Sequence, residues 1–453
     1  MNKEFIDGMR TAILADDELT VKKLLEDLHA ADIAELYNEL SLEEAKFLFL
    51  LLEGELAADV LAELDEDDRE KFLKVLPSEV IARQFIDKMD SDDAADVMAD
   101  LSDEKLEEVL LHIDDVDQAG DIVDLLSYDE NSAGGLMAKE LIAVNENWNI
   151  LKCLREMSKQ AANVDEVYYV YVVDDDNKLK GTVSLKRMLL SQNTAKIKDI
   201  VNTDVMSVRT DTPGEEVAII MDKYDLVALP VTDGIDRLVG RITIDDVVDF
   251  IREEAEKDYQ MASGITEDVQ PSDKVMVLTR ARLPWLLIGL AGGILGALVI
   301  GHYEPDLVNY PKLAFFIPLI AAMGGNVGIQ SSAIVVQAIA SKSMGLESTG
   351  KKLLKEFAVA FINGLILAVL IFASNYFISD PRESKFFALT LTVSCSLLIV
   401  IIFAALFGTI IPLILNKLKI DPALATGPFI TTMNDIMGLF LYLMIGKILF
   451  GIF

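Results

Sequence analysis

From Pro284 onward the chain is built of five long apolar segments, at about 284–303, 312–340, 357–378, 386–415 and 424–453. Each reaches the ~20 residues a helix needs to cross a bilayer. Hydrocarbon offers no water to unpaired backbone groups, so such segments must be helices packed as a bundle. The second and fourth are longer, which predicts tilt, kinks or projection beyond the bilayer. Arg280 and Arg282 precede the first span, Lys342, Lys351, Lys352 and Lys355 lie between the second and third, and Lys417 and Lys419 lie between the fourth and fifth. The other connections are poorer in basic residues or balance them with acids, as in DPRESK. The positive-inside rule then predicts an inner-membrane, multi-pass protein with its N-terminus in the cytoplasm and its C-terminus outside.

Polar residues within the spans are clustered. Span two carries GGNVGIQSS at 324–332, and span five opens with DPALATGP at 421–428 and runs on to TTMNDIMG. An aspartate at mid-bilayer, here Asp435, costs roughly 2.5 to 3.5 kcal/mol on insertion scales. No Lys or Arg lies in the central part of any span to pair with it, so its counter-ion is expected to be mobile, and a cation is the simplest one. Thr431 and Thr432 stand four and three residues before Asp435, close enough for both hydroxyls to flank the carboxylate. The glycines of GGNVG also suit plain helix packing. The Gly-Pro pair frees carbonyls that only protein or a water-filled cavity can satisfy.

Charge divides the chain in two. Net charge is −34, yet the first 275 residues hold 66 acids and 28 bases while the remainder is +4. An acidic surface repels nucleic acid and attracts cations. Two distant cysteines, Cys153 and Cys395, give neither a disulfide framework nor a thiolate metal site. MNKEFIDGMRTAI lacks an apolar signal core, so the acidic half is expected in the cytosol. Three scattered histidines, His29, His112 and His302, form no nucleophile–base set, and no enzyme is expected.

Residues 1–135 repeat a short amphipathic unit of about a dozen residues, as in ADIAELYNEL and SDDAADVMADLSDEKLEEVLLHI. Leu, Val and Met recur at helical spacing behind an Asp or Ser cap. Helices this short must stack to bury their stripes, so an all-α superhelical domain is predicted. Over 136–257 the pattern becomes strands alternating with helices, in two copies. KLKGTVSLKRML aligns with RLVGRITIDDVV at a constant offset of 59, matching Leu179 to Leu238 and Gly181 to Gly240. This strand–turn–strand–helix pair resembles tandem CBS domains (136–200 and 201–257), which are regulatory α/β modules. DDVVDFIREEAEKDYQM at 245–261 reads as a helix leading toward the membrane, and a helical linker can transmit movement.

In this order the features resemble the MgtE-type magnesium transporters over essentially the whole chain. DPAxxxGPxxTTxxDxxG is present without a break, and GGNxGxQ (Gly324, Gly325, Asn326, Gly328, Gln330) supports it independently. The resemblance implies a multidomain α-helical membrane protein: a helical N domain (1–135), the CBS pair, a connecting plug-like helix and linker (258–283), and a five-helix membrane domain (284–453). It implies a homodimer with the pore on its two-fold axis, passive Mg2+ entry, and closure by cytosolic Mg2+ bound between acidic faces. Carried onto this sequence, Asp435 is the pore carboxylate, with Asn326, Thr432 and backbone oxygens near Ala425 around it and Glu356 near the inner mouth; Glu356 also fits a boundary residue beside Lys355. Sensor positions fall on Asp92, Asp96, Glu215, Asp222, Asp225, Asp246 and Glu254, each of which also fits a solvated face. Thr243 and Asp246 match the T-x-x-D pattern that contacts an adenine nucleotide in CBS domains. The first copy reads SLKR and lacks the acid, so a single regulatory ATP site is expected in the second copy.

Two other functions compete. Within transport, the cargo could be another divalent cation, or movement could be coupled to Na+. From another class, the chain could be a non-conducting, membrane-tethered sensor or scaffold. The scaffold gives no reason to bear the cost of Asp435.

Overall fold

The computed structural model describes residues 3–161, 164, 167–266, 269–271, 273–340, 349–378, 386–425 and 427–452. Residues 341–348, with Lys342 of the orientation argument, 379–385, with the DPRESK connection, and Thr426 of the span-five motif lie outside the described residues.

The first part is a run of short helices: α1 (Lys3–Leu14), α2 (Glu18–Leu25), α3 (Ala30–Glu35), α4 (Leu42–Leu51), α5 (Glu55–Ala62), α6 (Glu66–Lys74), α7 (Ser78–Val80), α8 (Ser91–Ala99), α9 (Asp103–Leu110) and α10 (Val116–Leu125). The repeat's polar caps start several of them. Asp17 accepts from the Thr20 amide, Asp115 accepts from Asp117 and Gln118, and Ser41 and Glu44 form a reciprocal capping box. One apolar stripe per helix meets in a common core, where Tyr37, Phe49, Phe72 and Phe85 pack ring to ring with centroids 5.0 to 6.3 Å apart. In the same domain Arg69 forms a largely buried ion pair with Asp100.

Two three-stranded sheets follow. In one, β1 (Ile142–Asn145) runs parallel to β2 (Val170–Val173), which pairs antiparallel with β3 (Leu179–Val183). In the other, β4 (Val208–Arg209), β5 (Ala228–Thr232) and β6 (Leu238–Thr243) repeat the arrangement. The register repeats as well: Val172 faces Gly181 as Val231 faces Gly240, and a register shift follows each of these two positions. The offset of 59 residues seen in the sequence is therefore an offset between two structurally equivalent hairpins. They dock on each other through reciprocal bonds, from the Leu179 amide to Asp236 O (3.1 Å) and from the Leu238 amide to Asn177 O (3.0 Å). Helices α11 (Ile150–Gln160), α12 (Leu185–Leu189) and α13 (Gly214–Tyr224) complete the two α/β units.

Helix α14 (Ile244–Ala262) covers the predicted connector. The chain separates into two units, Met1–Ile251 and Arg252–Phe453, and the division falls inside this helix. The second unit holds α15 (Val275–His302), the short α16 (Glu304–Asn309), α17 (Ile317–Ala340), α18 (Thr349–Ile378), α19 (Phe386–Lys417) and α20 (Gly427–Ile452). Five of these are long and apolar enough to cross a membrane. The first begins at Val275, so Pro284 lies inside the helix and not at its start. Proline cannot donate to the carbonyl of Arg280 and its ring crowds that turn. The next carbonyl, that of Ala281, accepts from both the amide and the hydroxyl of Thr266, each at 3.0 Å.

Candidate functional site

Helix α20 carries Asp435, and glycines decide what it meets. A methyl group on Gly325 of α17 would lie 3.4 Å from Asp435 Oδ1 and 3.2 Å from Thr431 Cγ2. The carboxylate therefore lies beside a bare stretch of α17, with just enough space between them for a methyl; it is half-buried, with no ion-pair or hydrogen-bond partner among the described residues. One further contact requires glycine on α15: a methyl on Gly292 would fall 1.9 Å from Thr432 Cγ2. GGNVG is thus the surface that lets α20 approach closely, and the carboxylate is brought along with it.

The two threonines do not flank the carboxylate as their spacing suggests. Thr431 Oγ1 donates to Gly427 O at 2.9 Å, the carbonyl one turn back, which a helix always offers to such a hydroxyl. Thr432 turns its methyl toward α15. Asn326 and Gln330 stand exposed, four residues apart on one side of α17. Ser331 of the same helix is buried and donates to Glu356 Oε1 of α18 at 2.5 Å, so Glu356 is tied to the bundle wall. Ala425 closes a short 3₁₀ turn over Pro422–Ala425, in which Asp421 accepts from the Ala423 amide at 2.8 Å. The first aspartate of the motif is a turn-forming residue.

Gly427 explains the Gly-Pro pair. Its φ is +47°, and a methyl there would lie 2.2 Å from the carbonyl oxygen of Ala262 at the end of α14. Gly264, at φ +84°, is similarly blocked by Pro428 Cγ at 2.5 Å. Only glycine combines a left-handed backbone with so close an approach. The connecting helix therefore ends directly against the start of the helix that carries Asp435.

The acidic half gathers a second group. At the start of α8, Ser91 is fully buried; its amide donates to Glu140 Oε1 (3.2 Å), its hydroxyl donates to Glu140 Oε2 (2.7 Å), and it accepts from the Lys139 amide (2.8 Å). This folds Glu140 back onto α8, where carboxylate oxygens of Asp90, Asp92 and Glu140 lie within 4.8 Å of one another. Burial, then the nearby carboxylate of Asp246 and those of Asp93, Asp90 and Glu140, hold Asp92 well above the usual carboxylate range. Burial and Asp246 likewise push Asp93 up to about 6. Asp93 also keeps an exposed edge, so solvent screens part of this shift. Burial raises Asp246 too, although the amide and hydroxyl of Thr243 both donate to its Oδ2.

Crowded carboxylates raised in this way are missing positive charge. Their hard oxygens fit a hydrated divalent cation of the Mg2+ or Ca2+ kind. Asp92 and Asp246, singled out in the sequence, are thus brought together. Asp96 is exposed one turn further along α8, and Glu215, Asp222 and Asp225 stand exposed on or just after α13. Glu254, on α14, pairs with Lys257 at 3.1 Å. Asp90, Asp93 and Glu140 escaped the sequence reading. Asp90 and Asp93 look like every other acid of the repeat, and Glu140 has no spacing relation to α8. A cleft of about 280 Å3 between the two hairpins is lined by residues including Lys178, Lys180, Thr203, Ser207 and Asp236. Thr243 and Asp246 do not line it; Thr243 ends β6 and Asp246 stands in the first turn of α14.

Comparison with known proteins agrees on every part of the chain. Family models match for a divalent cation transporter over residues 317–445, the MgtE intracellular N domain over 28–131, and CBS domains over 133–192 and 197–253. The magnesium transporter MgtE of Thermus thermophilus is 32% identical over 99% of both chains. That of Enterococcus faecalis is 34% identical over 70% of this chain and 69% of its own. A crystal structure of the cytosolic domain of the Mg2+ channel MgtE in complex with ATP covers 54% of this chain and 99% of that one, with a TM-score of 0.50 and 33% identity.

Proposed function

Because the chain belongs to the MgtE family of divalent cation transporters, we propose that it conducts Mg2+ passively across the membrane and that Asp435 is the carboxylate the ion meets. One observation carries this reading: a half-buried acid on a membrane-length helix, set beside the glycine face of α17 with no cationic partner among the described residues. Mg2+ sheds water reluctantly and demands near-octahedral geometry. A single carboxylate per subunit can attract the hydrated ion without holding it too tightly to conduct.

The pore is shared by two copies. Asn326 and Gln330 lie exposed on α17 of one chain, a poor arrangement toward lipid and a natural one toward a second subunit across a water-filled axis. Asn326, Thr432, the backbone near Ala425 and, at the inner end, Glu356 complete its lining. The N-terminus lies in the cytoplasm and the C-terminus outside. The domain limits are those of the sequence reading, 1–135, 136–200, 201–257, 258–283 and 284–453.

Regulation is by the cargo itself. Cytosolic Mg2+ occupies the acidic cluster around Asp92 and Asp246 and neighbouring acids of the sensor set, and so favours the compact state. Contact between the end of α14 and Gly427 offers a route for that change to reach the pore helix, closing it when Mg2+ is high. ATP binds at the second CBS copy. Thr243 engages only Oδ2 of Asp246, which leaves Oδ1 for a ribose hydroxyl, so nucleotide and divalent cation share one residue. The deciding experiment is Mg2+ uptake into proteoliposomes by the wild type and Asp435→Ala. Uptake by the wild type and none by the variant is expected. Equal uptake removes Asp435 from the pore, and no uptake by the wild type at any Mg2+ concentration favours the scaffold.

A further inference from the structure

Asn434 precedes the pore acid on α20 and is only 1% exposed. Neither its Nδ2 nor its Oδ1 has a hydrogen-bond partner among the described residues. An amide buried in this way within a membrane bundle has lost its water and gained nothing in exchange, which is unfavourable. Leucine has a similar length without that cost, so the amide needs a reason.

The surroundings give one. A methyl on Gly328 would lie 1.9 Å from Asn434 Nδ2, while one on Gly325 would lie 3.4 Å from Asp435 Oδ1. Asn434 therefore sits in a notch that only glycine leaves open, and Asp435 lies beside the glycine three residues earlier on the same face of α17. Consecutive helical residues point ~100° apart, so a roll of α20 that withdraws one drives the other into the α17 backbone. Behind α17 there is no room to yield, since the Gly328 carbonyl oxygen already comes within 2.4 Å of where a methyl on Gly408 of α19 would be.

We propose that Asn434 is a positioning residue for Asp435: wedged at Gly328, it fixes the roll of α20 and so the place where the carboxylate meets the ion. Its amide is flat where a leucine ends in two splayed methyls, so it enters the notch at Gly328 without pushing α20 off α17, and the carboxylate keeps its place. The inference rests on the conduction reading above and gives Asn434 a role in ion selectivity.

The test uses the full chain in proteoliposomes, comparing the wild type with Asn434→Leu and Asn434→Ala. Three quantities are read: the half-saturating Mg2+ concentration, the Na+ leak, and the Tm in detergent. Asn434→Leu is expected to keep its Tm, because losing an unpartnered amide offsets the crowding at Gly328, while its half-saturating Mg2+ rises about tenfold and Na+ leaks through. Asn434→Ala loses the wedge and moves Mg2+ and Na+ in the same directions; it is the variant to read if the leucine variant does not fold. Two results overturn the proposal. One is Mg2+ and Na+ behaviour that matches the wild type in the folded variant. The other is a drop in Tm with Mg2+ and Na+ fluxes reduced equally, which marks ordinary structural glue. A wild type that passes no Mg2+ overturns the conduction reading itself.

Discussion

Asp93 gives the sharpest quantitative expectation. Its folded-state pKa of about 6 stands above a reference of 3.8, raised by burial and by Asp246. A raised carboxylate pKa means that the folded state binds the proton more tightly than the unfolded chain does. Folding therefore bears a charge penalty in full above about pH 6, sheds it as the pH falls through 6, and is free of it below 3.8. At ~1.4 kcal/mol per pKa unit the whole shift amounts to ~3 kcal/mol. Asp93 keeps an edge in solvent, so screening reduces this to about 1 kcal/mol. Asp92 and Asp246 are shifted in the same direction, and acids held below their usual range, such as Asp174 at about 2, do not titrate in this window. The assay is urea unfolding of residues 1–262, the portion whose counterpart in relatives has been crystallised alone. Wild type should gain stability between about pH 7.5 and pH 5. Asp93→Asn should be about 1 kcal/mol more stable than wild type near pH 7.5, with a shallower pH dependence. Millimolar Mg2+ should narrow the difference by relieving the same repulsion. If Asp93→Asn is less stable near pH 7.5, or the wild type loses stability on acidification across this range, the crowding argument is wrong.

Two further outcomes follow from single contacts. Arg69 and Asp100 form an ion pair with side chains only 13% and 6% exposed, and burial outweighs Arg69 in raising Asp100. Arg69→Met should cost about 3 to 5 kcal/mol in the same unfolding assay, and a double replacement by Met and Leu should recover most of it. Gly427→Ala combines a positive φ with a methyl 2.2 Å from Ala262 O. The strained backbone alone costs roughly 1 to 2 kcal/mol, and the overlap must push α14 away from α20. Uptake by this variant should respond less to internal Mg2+ than wild-type uptake does, measured in proteoliposomes loaded at low and high Mg2+.

Local and compositional signals sufficed for much of this protein. The five spans follow from hydrocarbon length, and the duplicated hairpins from an offset of 59 residues that returns as an identical strand register. The intramembrane acid stands out because no basic residue in the spans can pair with it. Each of these depends on residues near one another in the chain, or on a pattern repeated along it, so the linear order already contains the physics.

Tertiary structure alone decided which groups meet. Nothing in the sequence separates Asp90 and Asp93 from the other acids of the repeat, and only the family resemblance picks out Asp92. What distinguishes them is Glu140, folded back through Ser91, and Asp246, brought close from about 150 residues away. The same holds in the membrane half, where spacing offered the hydroxyls of Thr431 and Thr432 to Asp435. The folded helix spends one on its own backbone and turns the other residue's methyl toward Gly292. Charge repulsion, close packing and hydrogen-bond competition depend on distances across the fold, and a sequence carries those distances only once the chain has closed on itself.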